Sequence, residues 1–399
     1  MNLTIHPGKL SGTLSAIPSK SQAHRLLICA AFSDGKTRLA CPFTNADIEA
    51  TVSCLRALGA QILRTNNGYT VIPISDIPAS AHLFCGESGS TLRFMLPIVG
   101  ALGIDATLHM EGRLPLRPLS PLWEEMERMG CVLSRPTPET IRCIGKLHSG
   151  FYEICGDISS QYISGLLFAM ALMEGASTLK IIGKLESKPY VDMTCATMNL
   201  FDIDVPNFQI SGCYPFHSPG EFTVEGDWSN AAFFLTAAAI GNSVSLENLN
   251  MTSVQGDRTI IDHLTKLSSG FCDIDAADIP DLVPILSIAA ASMHGCQFTN
   301  IARLRLKESD RVASVIQMLS ALGIQANATE NTLSIMPGSF SGGVVDSEND
   351  HRIAMAAAIA ATVASAPITI LGAQCVNKSY PTFWDEYRRL GGNYEQHVR

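Results

Sequence analysis

The stretch Leu55-Arg56-Ala57-Leu58-Gly59-Ala60 ends an amphipathic segment, precedes a strand-like run and has counterparts along the chain. A glycine just after the last helical residue favours a left-handed backbone, which ends a helix before a strand begins. The clearest further copies are residues 126–131, 318–324 and 387–392, and weaker copies lie near residues 198–203 and 264–270. The sequence therefore predicts a repeated unit in which a helix ends and a strand follows.

The spacing of these copies predicts the domain organisation. Six copies in 399 residues correspond to about 66 residues per copy, which is longer than the usual solenoid repeat. We therefore interpret the copies as supersecondary modules, three in each of two domains, with short strands at residues 69–72, 151–154, 222–224 and 332–335. Leu-x-x-Leu-Gly is also a common helix ending, and that alternative stays open on the sequence alone.

The composition excludes several classes of protein. Hydrophobic residues make up 46% of the chain and charged residues 16%, which is too apolar for a disordered protein and too low in charge for a coiled coil. The net charge of −9 gives no reason to expect a nucleic-acid or membrane partner. An anionic substrate would need a local cluster of cations.

Three features favour a cytoplasmic protein. No basic segment followed by an apolar run is visible at the start, so no signal peptide is predicted. The 12 cysteines show no Cys-x-x-Cys spacing, which favours free core thiols over disulfides or a metal site. Residues 353–373 are uncharged and long enough to cross a bilayer. However, Pro367 and many small residues predict a buried helix at 353–365 and a strand at 368–371.

Three segments of the first half present groups that suit an anion. In residues 18–25 a serine-rich turn opens a helix, and Lys20 and Arg25 lie close together on it. Residues 86–93 form a Gly/Ser loop that leads into a helix but lacks the Gly-Lys-Ser/Thr of a P-loop. Residues 159–161 add hydroxyl and amide donors. Taken singly, each segment is equally compatible with an ordinary helix start.

The second half adds cations and carboxylates beside apolar helices. If residues 303–311 are helical, Lys307 and Arg311 share one face, and two like charges there are unfavourable unless an anion binds. The alternative is a solvated charged helix. Residues 278–282 precede a long apolar helix, and residues 350–352 open another.

In this order, the segments together resemble the enolpyruvyl transferase family, and within it the branch that uses shikimate 3-phosphate. The motifs that carry the resemblance are Lys20-Ser21, His24-Arg25, residues 86–93, Arg117-Pro118, residues 159–161, 187–190, 225–227 and 278–281, Lys307-Glu308, Asp310-Arg311, residues 350–352 and Lys378. They span about residues 5 to 390. No single motif is decisive, but their joint order makes a chance match very improbable.

The resemblance implies an α/β fold of two similar domains, the inside-out α/β barrel of this family, with three βαβαββ repeats in each domain. One domain would comprise residues 19–226 and the other residues 1–18 plus 227–399. The active site would lie in the cleft between them. Relatives of this kind are mostly monomers, and neither a cofactor nor a metal ion is implied.

The implied reaction moves the enolpyruvyl group of phosphoenolpyruvate to the 5-hydroxyl of shikimate 3-phosphate. Phosphate leaves by addition and elimination through a tetrahedral intermediate, on the route to chorismate and the aromatic amino acids. Both substrates are polyanions, and the motifs supply nine of the 28 basic residues. These are Lys20, Arg25, Arg93, Arg117, Lys188, Lys307, Arg311, Arg352 and Lys378.

The resemblance also implies roles for individual residues. Shikimate 3-phosphate would contact Lys20, Ser21, Arg25, Ser159, Ser160, Gln161, Ser187, Tyr190, Asp281 and Lys307. Phosphoenolpyruvate would contact Lys20, Gly89, Arg117, Gln161, Arg311, His351, Arg352 and Lys378. The candidate catalytic residues are Asp281 as base, Glu308 as acid, and Lys20 and Lys378 at the departing phosphate. Gly89 would leave room for the herbicide glyphosate, so inhibition by it is expected.

Three residues depart from the family pattern. Glu87 and Ser90 stand where relatives have Asn and Thr, and Arg303 stands where many have Asn. Two alternatives also remain. An enolpyruvyl transferase acting on UDP-N-acetylglucosamine usually has Asn after the first Lys and a reactive cysteine, yet here Ser21 follows Lys20 and no Cys lies between Cys85 and Cys131. A non-catalytic binding protein of the same fold would be expected to lose the charged residues that this chain keeps.

Overall fold

A computed structural model describes residues 1–212 and 216–397 of the chain. The strands are β1 (Asn2–His6), β2 (Ser11–Ser15), β3 (Thr37–Ala40), β4 (Gln61–Thr65), β5 (Gly68–Ile72), β6 (Ser80–Gly86), β7 (Asp105–Met110), β8 (Cys131–Ser134), β9 (Thr140–Gly145), β10 (Phe151–Cys155), β11 (Ser177–Ile182), β12 (Gln209–Ile210), β13 (Glu221–Thr223), β14 (Ser243–Glu247), β15 (Cys272–Asp275), β16 (Cys296–Thr299), β17 (Ala326–Ala328), β18 (Thr332–Ile335), β19 (Gly343–Asp346), β20 (Ile368–Leu371) and β21 (Asn393–His397). The α-helices are α1 (Lys20–Ala31), α2 (Ala46–Ala57), α3 (Gly89–Leu102), α4 (Leu122–Arg128), α5 (Ser160–Leu172), α6 (Lys188–Asn199), α7 (Trp228–Ala239), α8 (Ile260–Ser269), α9 (Val283–Ser292), α10 (Arg311–Ala321), α11 (His351–Ala361) and α12 (Phe383–Arg389).

The chain forms two compact units, and each contains three sheets within the described residues. One unit is Pro18–Val224, with sheets β13-β3-β5-β4, β6-β7-β9-β8 and β10-β11-β12. The other combines Met1–Ile17 with Glu225–Arg399, and its sheets are β19-β20-β1-β21, β15-β16-β18-β17 and β14-β2. The predicted α/β fold is confirmed.

Two of the sheets show the repeated module in full. In β6-β7-β9-β8 the first two strands are parallel and joined through α3, and α4 then leads to the antiparallel pair β8 and β9. The sheet β15-β16-β18-β17 repeats the same pairing, with α9 and α10 in the same places. Both modules therefore follow the order βαβαββ that the family resemblance implies.

Two other sheets complete this pattern with a strand from far away in the sequence. Strand β13 pairs in parallel with β3, in the place that β6 takes beside β7. Strand β1 lies antiparallel between β20 and β21, in the place that β9 takes between β7 and β8. The N-terminal strand is thus an integral part of a sheet built mainly from the last 60 residues or so.

The predicted helix endings agree with the structure. The helices α2, α4, α10 and α12 end at the four clear copies of the repeat, and α6 and α8 end at the two weak ones. Gly130, after α4, has φ +113°, a conformation that glycine adopts without the penalty of a Cβ. The predicted strands at 69–72, 151–154, 222–224 and 332–335 coincide with β5, β10, β13 and β18 within one residue at each end.

The uncharged segment 353–373 forms α11 and β20. The helix ends at Ala361, four residues earlier than predicted, because the Thr362 hydroxyl donates to the carbonyl of Ile359 at 2.8 Å and favours a turn there. No helix within the described residues is long and apolar enough to span a membrane. The eleven described cysteines carry free thiols, and Cys213 lies outside the described residues.

Close packing of α5 on α3 fixes the frame of the first unit. Pro97, inside α3, has no N–H to donate to the carbonyl of Arg93 one turn earlier. Gly165 of α5 lies against that carbonyl, so close that an added Cβ would be 2.2 Å from the oxygen. A glycine is therefore required where the two helices meet.

Replacing Gly165 by alanine should lower the free energy of unfolding by about 1–3 kcal/mol, because the new methyl group has to push α5 away from α3. Chemical denaturation of the purified variant measures this loss. Gly8→Ala is the control, since a Cβ at Gly8 meets no atom within 4 Å. Equal stability of Gly165→Ala and the wild type would contradict the packing described.

Candidate active site

Serine caps begin three helices of the first unit. The side chains of Ser19, Ser88 and Ser159 accept hydrogen bonds from the first-turn amides of α1, α3 and α5. This is the capping that the sequence favours for these segments. It places the predicted substrate-binding residues Lys20 and Gly89 at the first position of their helices.

Gln161 ties the start of α5 to α3. Its amide nitrogen donates to Ser90 Oγ at 2.9 Å, and its amide oxygen accepts from Arg93 Nη1 at 2.9 Å. The guanidinium of Arg117 lies next to Gly89, because a Cβ there would be 2.7 Å from Arg117 Nη1. The structure therefore brings together three residues predicted to hold phosphoenolpyruvate, and adds Arg93 to them.

Lys20 forms an ion pair with a carboxylate that the sequence analysis did not select. Its Nζ lies 2.8 Å from Asp47 Oδ2, and both side chains are largely buried. The Thr91 hydroxyl of α3 contacts the carbonyl of the same aspartate at 3.4 Å. The only sequence signal for Asp47 was an acidic residue in the first turn of α2, which is common in helices.

Arg25 is a buried anchor of α1. Its guanidinium donates to Thr194 Oγ1 at 2.7 Å and to the carbonyls of Ser21 and Tyr190 at 2.7 and 2.9 Å. Burial lowers the pKa of this guanidinium to about 10. These bonds link α1 to α6, which carries the predicted shikimate 3-phosphate residues from Ser187 onward.

The start of α6 is backbone-strained. Ser187 has φ +52° and is almost fully buried, and a non-glycine residue in this region costs free energy that the surrounding structure has to supply. Lys188, the next residue, forms an exposed pair with Asp192 at 2.6 Å. Strain of this kind clusters at ligand-binding positions, which agrees with the role predicted for Ser187.

The second unit contains a buried ion network centred on Arg311. The guanidinium contacts three carboxylates: Asp281 at 2.6 Å, Glu308 at 2.7 Å and Asp350 at 2.9 Å. The Arg311 side chain is only 1% exposed. Arg352 joins through Asp281 Oδ2 at 2.8 Å, so one carboxylate bridges two of the predicted phosphoenolpyruvate cations.

Electrostatics in this network fix the charge states. Burial opposes the ionisation of Asp281, but Arg352, Lys307 and Arg311 outweigh it and hold the pKa of its carboxyl well below the usual range. Burial, followed by the repulsion of Arg311 and Arg303, lowers the pKa of Lys307 to about 8, while Asp281 opposes that shift. The network therefore favours a charged Asp281 beside a lysine that loses its proton readily.

Lys307 and Arg311 do not share a helix face, so the prediction that rested on this geometry is wrong. Lys307 follows a short 3-10 turn (Ala302–Leu306), and α10 begins only at Arg311. Asp310 caps α10 through the amides of Val312 and Ala313, which stops the helix from extending backwards. The two cations still approach the same carboxylate, since Lys307 Nζ lies 3.8 Å from Asp281 Oδ1.

Asp350 positions Arg311 and begins α11. Its Oδ1 accepts from the amide of Arg352 at 2.9 Å, while its Oδ2 accepts from Arg311 Nε at 2.9 Å and from Ser309 Oγ at 3.1 Å. The carboxylate is fully buried. Asp350 belongs to the motif at residues 350–352, but the sequence alone assigns it no role, because a helix cap and a buried counter-ion look alike in sequence.

His351 and Lys378 lie beside the same helix start. His351 is buried, and its Nδ1 lies 4.0 Å from the Asp350 carboxylate. Lys378 Nζ donates to the carbonyl of Asn349 at 2.9 Å. Asn349 has φ +55°, so this segment, like that at Ser187, has a sparsely populated backbone conformation beside predicted site residues.

Glu87, Ser90 and Arg303, which depart from the family pattern, each have identifiable neighbours in the structure. Glu87 packs its carboxyl group over Gly112, where an added Cβ would lie 2.6 Å from Glu87 Oε2. Ser90 is a partner of Gln161. Arg303 is nearly buried and lowers the pKa of Lys307 further, behind burial and Arg311.

The fold places the chain among the enolpyruvyl transferases. Enolpyruvyl transferase NikO from Streptomyces tendae aligns with a TM-score of 0.77, covering 100% of this chain and 99% of that one, at 15% identity. EPSP synthase from Acinetobacter baumannii aligns with a TM-score of 0.81 over 100% of both chains, at 25% identity.

The sequence comparisons identify the family within that class. The family model EPSP synthase (3-phosphoshikimate 1-carboxyvinyltransferase) matches residues 5–387. Proteins named 3-phosphoshikimate 1-carboxyvinyltransferase from Clostridium botulinum (strain Eklund 17B / Type B) and Clostridium kluyveri are 38% and 37% identical, covering 98% and 99% of this chain and 98% of each relative. The chain belongs to the EPSP synthase family.

Substituting Asp350 by asparagine should lower the free energy of unfolding by about 3 kcal/mol, because it removes one partner of a buried ion pair. Asparagine is also a good helix cap, so the loss reports the charge rather than the start of α11. Thermal or urea denaturation measures it. Asp105→Asn, which breaks an exposed pair with Arg142, is the control and should change stability little; similar effects of both variants would contradict the network.

Proposed function

We propose that this chain transfers the enolpyruvyl group of phosphoenolpyruvate to the 5-hydroxyl of shikimate 3-phosphate and releases inorganic phosphate. Membership of the EPSP synthase family supports this activity. The observation that carries it is the buried network of Arg311, Arg352, Asp281 and Glu308. It concentrates cations for a small polyanion next to two carboxyl groups able to move protons.

In this proposal the hydroxyl and amide groups at the starts of α5 and α6 hold shikimate 3-phosphate. The phosphate contacts Ser159, Ser160, Ser187 and Lys307, and the ring substituents contact Ser21, Arg25, Gln161, Tyr190 and Asp281. The buried, strained position of Ser187 supports its part. Arg25 binds the carboxylate of shikimate 3-phosphate only if its guanidinium gives up some of its present acceptors, which include Thr194 Oγ1 and the carbonyl of Tyr190.

Five cations are proposed to hold phosphoenolpyruvate. They are Lys20, Arg117, Arg311, Arg352 and Lys378, with Gly89, Gln161 and His351 beside them. Arginine suits this role, because its planar fork binds a carboxylate or phosphate through two parallel hydrogen bonds.

Binding of phosphoenolpyruvate is then an exchange of ion pairs. Arg311 and Arg352 are neutralised by Asp281, Glu308 and Asp350, and the substrate's anionic groups take over part of this contact. When these cations turn to the substrate, the pKa of the Asp281 carboxyl rises, because their attraction is what holds it low. The substrate thereby turns Asp281 into a stronger base.

The proton transfers follow from these positions. Asp281 accepts the proton of the 5-hydroxyl as the oxygen bonds to C2 of phosphoenolpyruvate. Glu308, which takes up a proton from solvent once Arg311 turns to the substrate, donates that proton to the methylene carbon, giving the tetrahedral intermediate. In the second half, Glu308 takes a proton back from the methyl group as the C–O bond to phosphate breaks. Lys20 and Lys378 stabilise the negative charge on the leaving phosphate.

We also propose that the protein is a cytoplasmic monomer with small-molecule substrates, no cofactor and neither a nucleic-acid nor a membrane partner. The free thiols of the described cysteines suit a reducing compartment. The net charge of −9 disfavours anionic polymers and surfaces.

Phosphate release from phosphoenolpyruvate should require shikimate 3-phosphate. A colorimetric phosphate assay with both substrates, with each one alone, and with UDP-N-acetylglucosamine as the acceptor tests the proposal against its alternatives. Release only with shikimate 3-phosphate supports it. Release only with the nucleotide sugar would identify the sister activity, and no release from a folded chain with any acceptor would indicate a binding protein.

Asp281→Ala and Glu308→Ala should each lower kcat at least about 100-fold, because each removes a proton-transfer group. Binding of shikimate 3-phosphate, measured by calorimetry, should change far less. Asp273→Ala, at an exposed carboxylate of β15, is the control and should keep wild-type turnover. Wild-type turnover in both site variants would contradict the assignment of Asp281 and Glu308 as proton-transfer groups.

Gly89→Ala should raise KM for phosphoenolpyruvate, with a smaller effect on KM for shikimate 3-phosphate, because the new methyl group lies within 2.7 Å of Arg93 Nη1 and Arg117 Nη1. Inhibition by glyphosate should weaken in the same variant, since the family's inhibitor occupies this space. Steady-state kinetics measure both effects. The control is Gly35→Ala, whose Cβ makes an ordinary 3.5 Å contact; unchanged kinetics in Gly89→Ala would count against Arg117 as a substrate ligand.

A further inference from the structure

Two histidine rings meet on the outer face of the sheet β6-β7-β9-β8. Nδ1 of His82, on β6, lies 3.1 Å from Nε2 of His109, on β7. In the ladder His82 faces Thr107 and His109 faces Phe84, so the two histidines are diagonal neighbours on the same face. Diagonal side chains of this size reach each other across a sheet. No substrate or catalytic role proposed above uses either ring.

The spacing of the two nitrogens suits a shared metal ion. Imidazole nitrogens bind divalent transition metals at about 2.0–2.1 Å. Two such bonds at a nitrogen–metal–nitrogen angle of about 100° place the nitrogens about 3.1 Å from each other. This angle lies between the square-planar and the tetrahedral angle. The two nitrogens are also at hydrogen-bond distance, so a bound ion replaces that hydrogen bond and the rings turn until both lone pairs point to the ion.

The neighbours of the pair help to hold the rings in place. Phe84 stacks on His109, with ring centroids 4.5 Å apart and planes 13° from parallel. Asp105, which pairs with Arg142 on the same face, also interacts electrostatically with His82. A neutral, oriented imidazole is the form that binds metals.

We propose that His82 and His109 form a two-imidazole site for a divalent late transition-metal ion such as Ni²⁺, Cu²⁺ or Zn²⁺. His82 Nδ1 and His109 Nε2 bind the ion, and water completes its coordination. The described residues contain no group of three or more His, Cys, Asp or Glu side chains that could hold a metal ion. The pair is therefore an open, exchangeable site rather than a closed structural one.

The position of the pair gives the site a defined mechanical effect. Strand β6 ends at Gly86, just before the segment that carries Gly89, and β7 ends at Met110, a few residues before Arg117. The amide of Glu111 donates to the carbonyl of Gly86 at 2.8 Å, so the two strand ends are joined. An ion on both histidines cross-links the same two strands and stabilises the folded chain by mass action.

Calorimetric titration of the full-length, untagged chain with Ni²⁺ tests the site. The wild type should bind one ion that His82→Ala and His109→Ala each bind at least about tenfold more weakly, a loss of about 1.4 kcal/mol. His294→Ala, at an exposed histidine just before β16 in the other unit, is the matched control and should bind like the wild type. Equal binding by all four proteins, or none by the wild type, would overturn the proposal.

Two further measurements separate the site from other metal-binding groups. Electron paramagnetic resonance of bound Cu²⁺ should show coupling to two imidazole nitrogens in the wild type and to one in either histidine variant. Excess Ni²⁺ should raise the melting temperature of the wild type and of His294→Ala clearly more than that of the two site variants. A Cu²⁺ signal that is the same in all proteins would place the ion elsewhere, for example on a thiol, and would overturn the assignment. Without metal, phosphate release by His82→Ala and His109→Ala should match the wild type, because neither histidine belongs to the proposed active site. The metal site is therefore tested independently of the proposed function.

Discussion

The buried guanidinium of Arg311 and its three carboxylates form the interaction on which the second unit depends. Burying any one of these charges alone is prohibitively costly, and the cost is offset only when every charge has a close partner. Asp281, Glu308 and Asp350 satisfy the guanidinium from three different segments of chain. The network therefore fixes the start of α10, the start of α11 and the segment before α9 relative to one another.

The same network explains how an acidic protein can serve two anionic substrates. The net charge is −9, yet the cations proposed for phosphoenolpyruvate are gathered and oriented by the protein's own carboxylates. Asp281 bridges Arg311 and Arg352, and Asp47 holds Lys20. These carboxylates keep the cations in place before a substrate binds, which reduces the ordering that binding requires. Asp281, together with Glu308 on Arg311, is also proposed to move protons.

Local patterns in the sequence were sufficient to predict the modules. The helix endings at Gly130 and the other copies, and the strands at 151–154 and 332–335, depend on neighbouring residues only. The positions of β1 and β13 were not predictable in this way, because each completes a sheet with strands distant in sequence. The end of α11 was misplaced by four residues, since a threonine hydroxyl decides it rather than the apolar pattern.

The candidate site, like the fold, was predictable from the sequence only in part. Charged residues such as Asp281 and Arg352 were selected because the order of the motifs resembles a known family. The carboxylates that pair with Lys20 and Arg311 were missed. Asp47 and Asp350 look like ordinary helix-start residues, and only contacts across the fold show that they are counter-ions. The helical spacing assumed for Lys307 was wrong, although both it and Arg311 approach Asp281. Convergence on a buried counter-ion is a tertiary property that spacing along the chain does not contain.

In the proposed mechanism, phosphoenolpyruvate takes over the cations that neutralise Asp281. The most direct test follows the carboxyl carbon of Asp281 by NMR, in a chain labelled with ¹³C-aspartate, as the pH is varied with shikimate 3-phosphate present. The assignment comes from Asp281→Asn. The account predicts a pKa well below the usual aspartate range without phosphoenolpyruvate and a clear upward shift when a non-reacting analogue of it is added. An ordinary pKa without phosphoenolpyruvate, or a low pKa that the analogue leaves unchanged, would show that the substrate does not take over these cations.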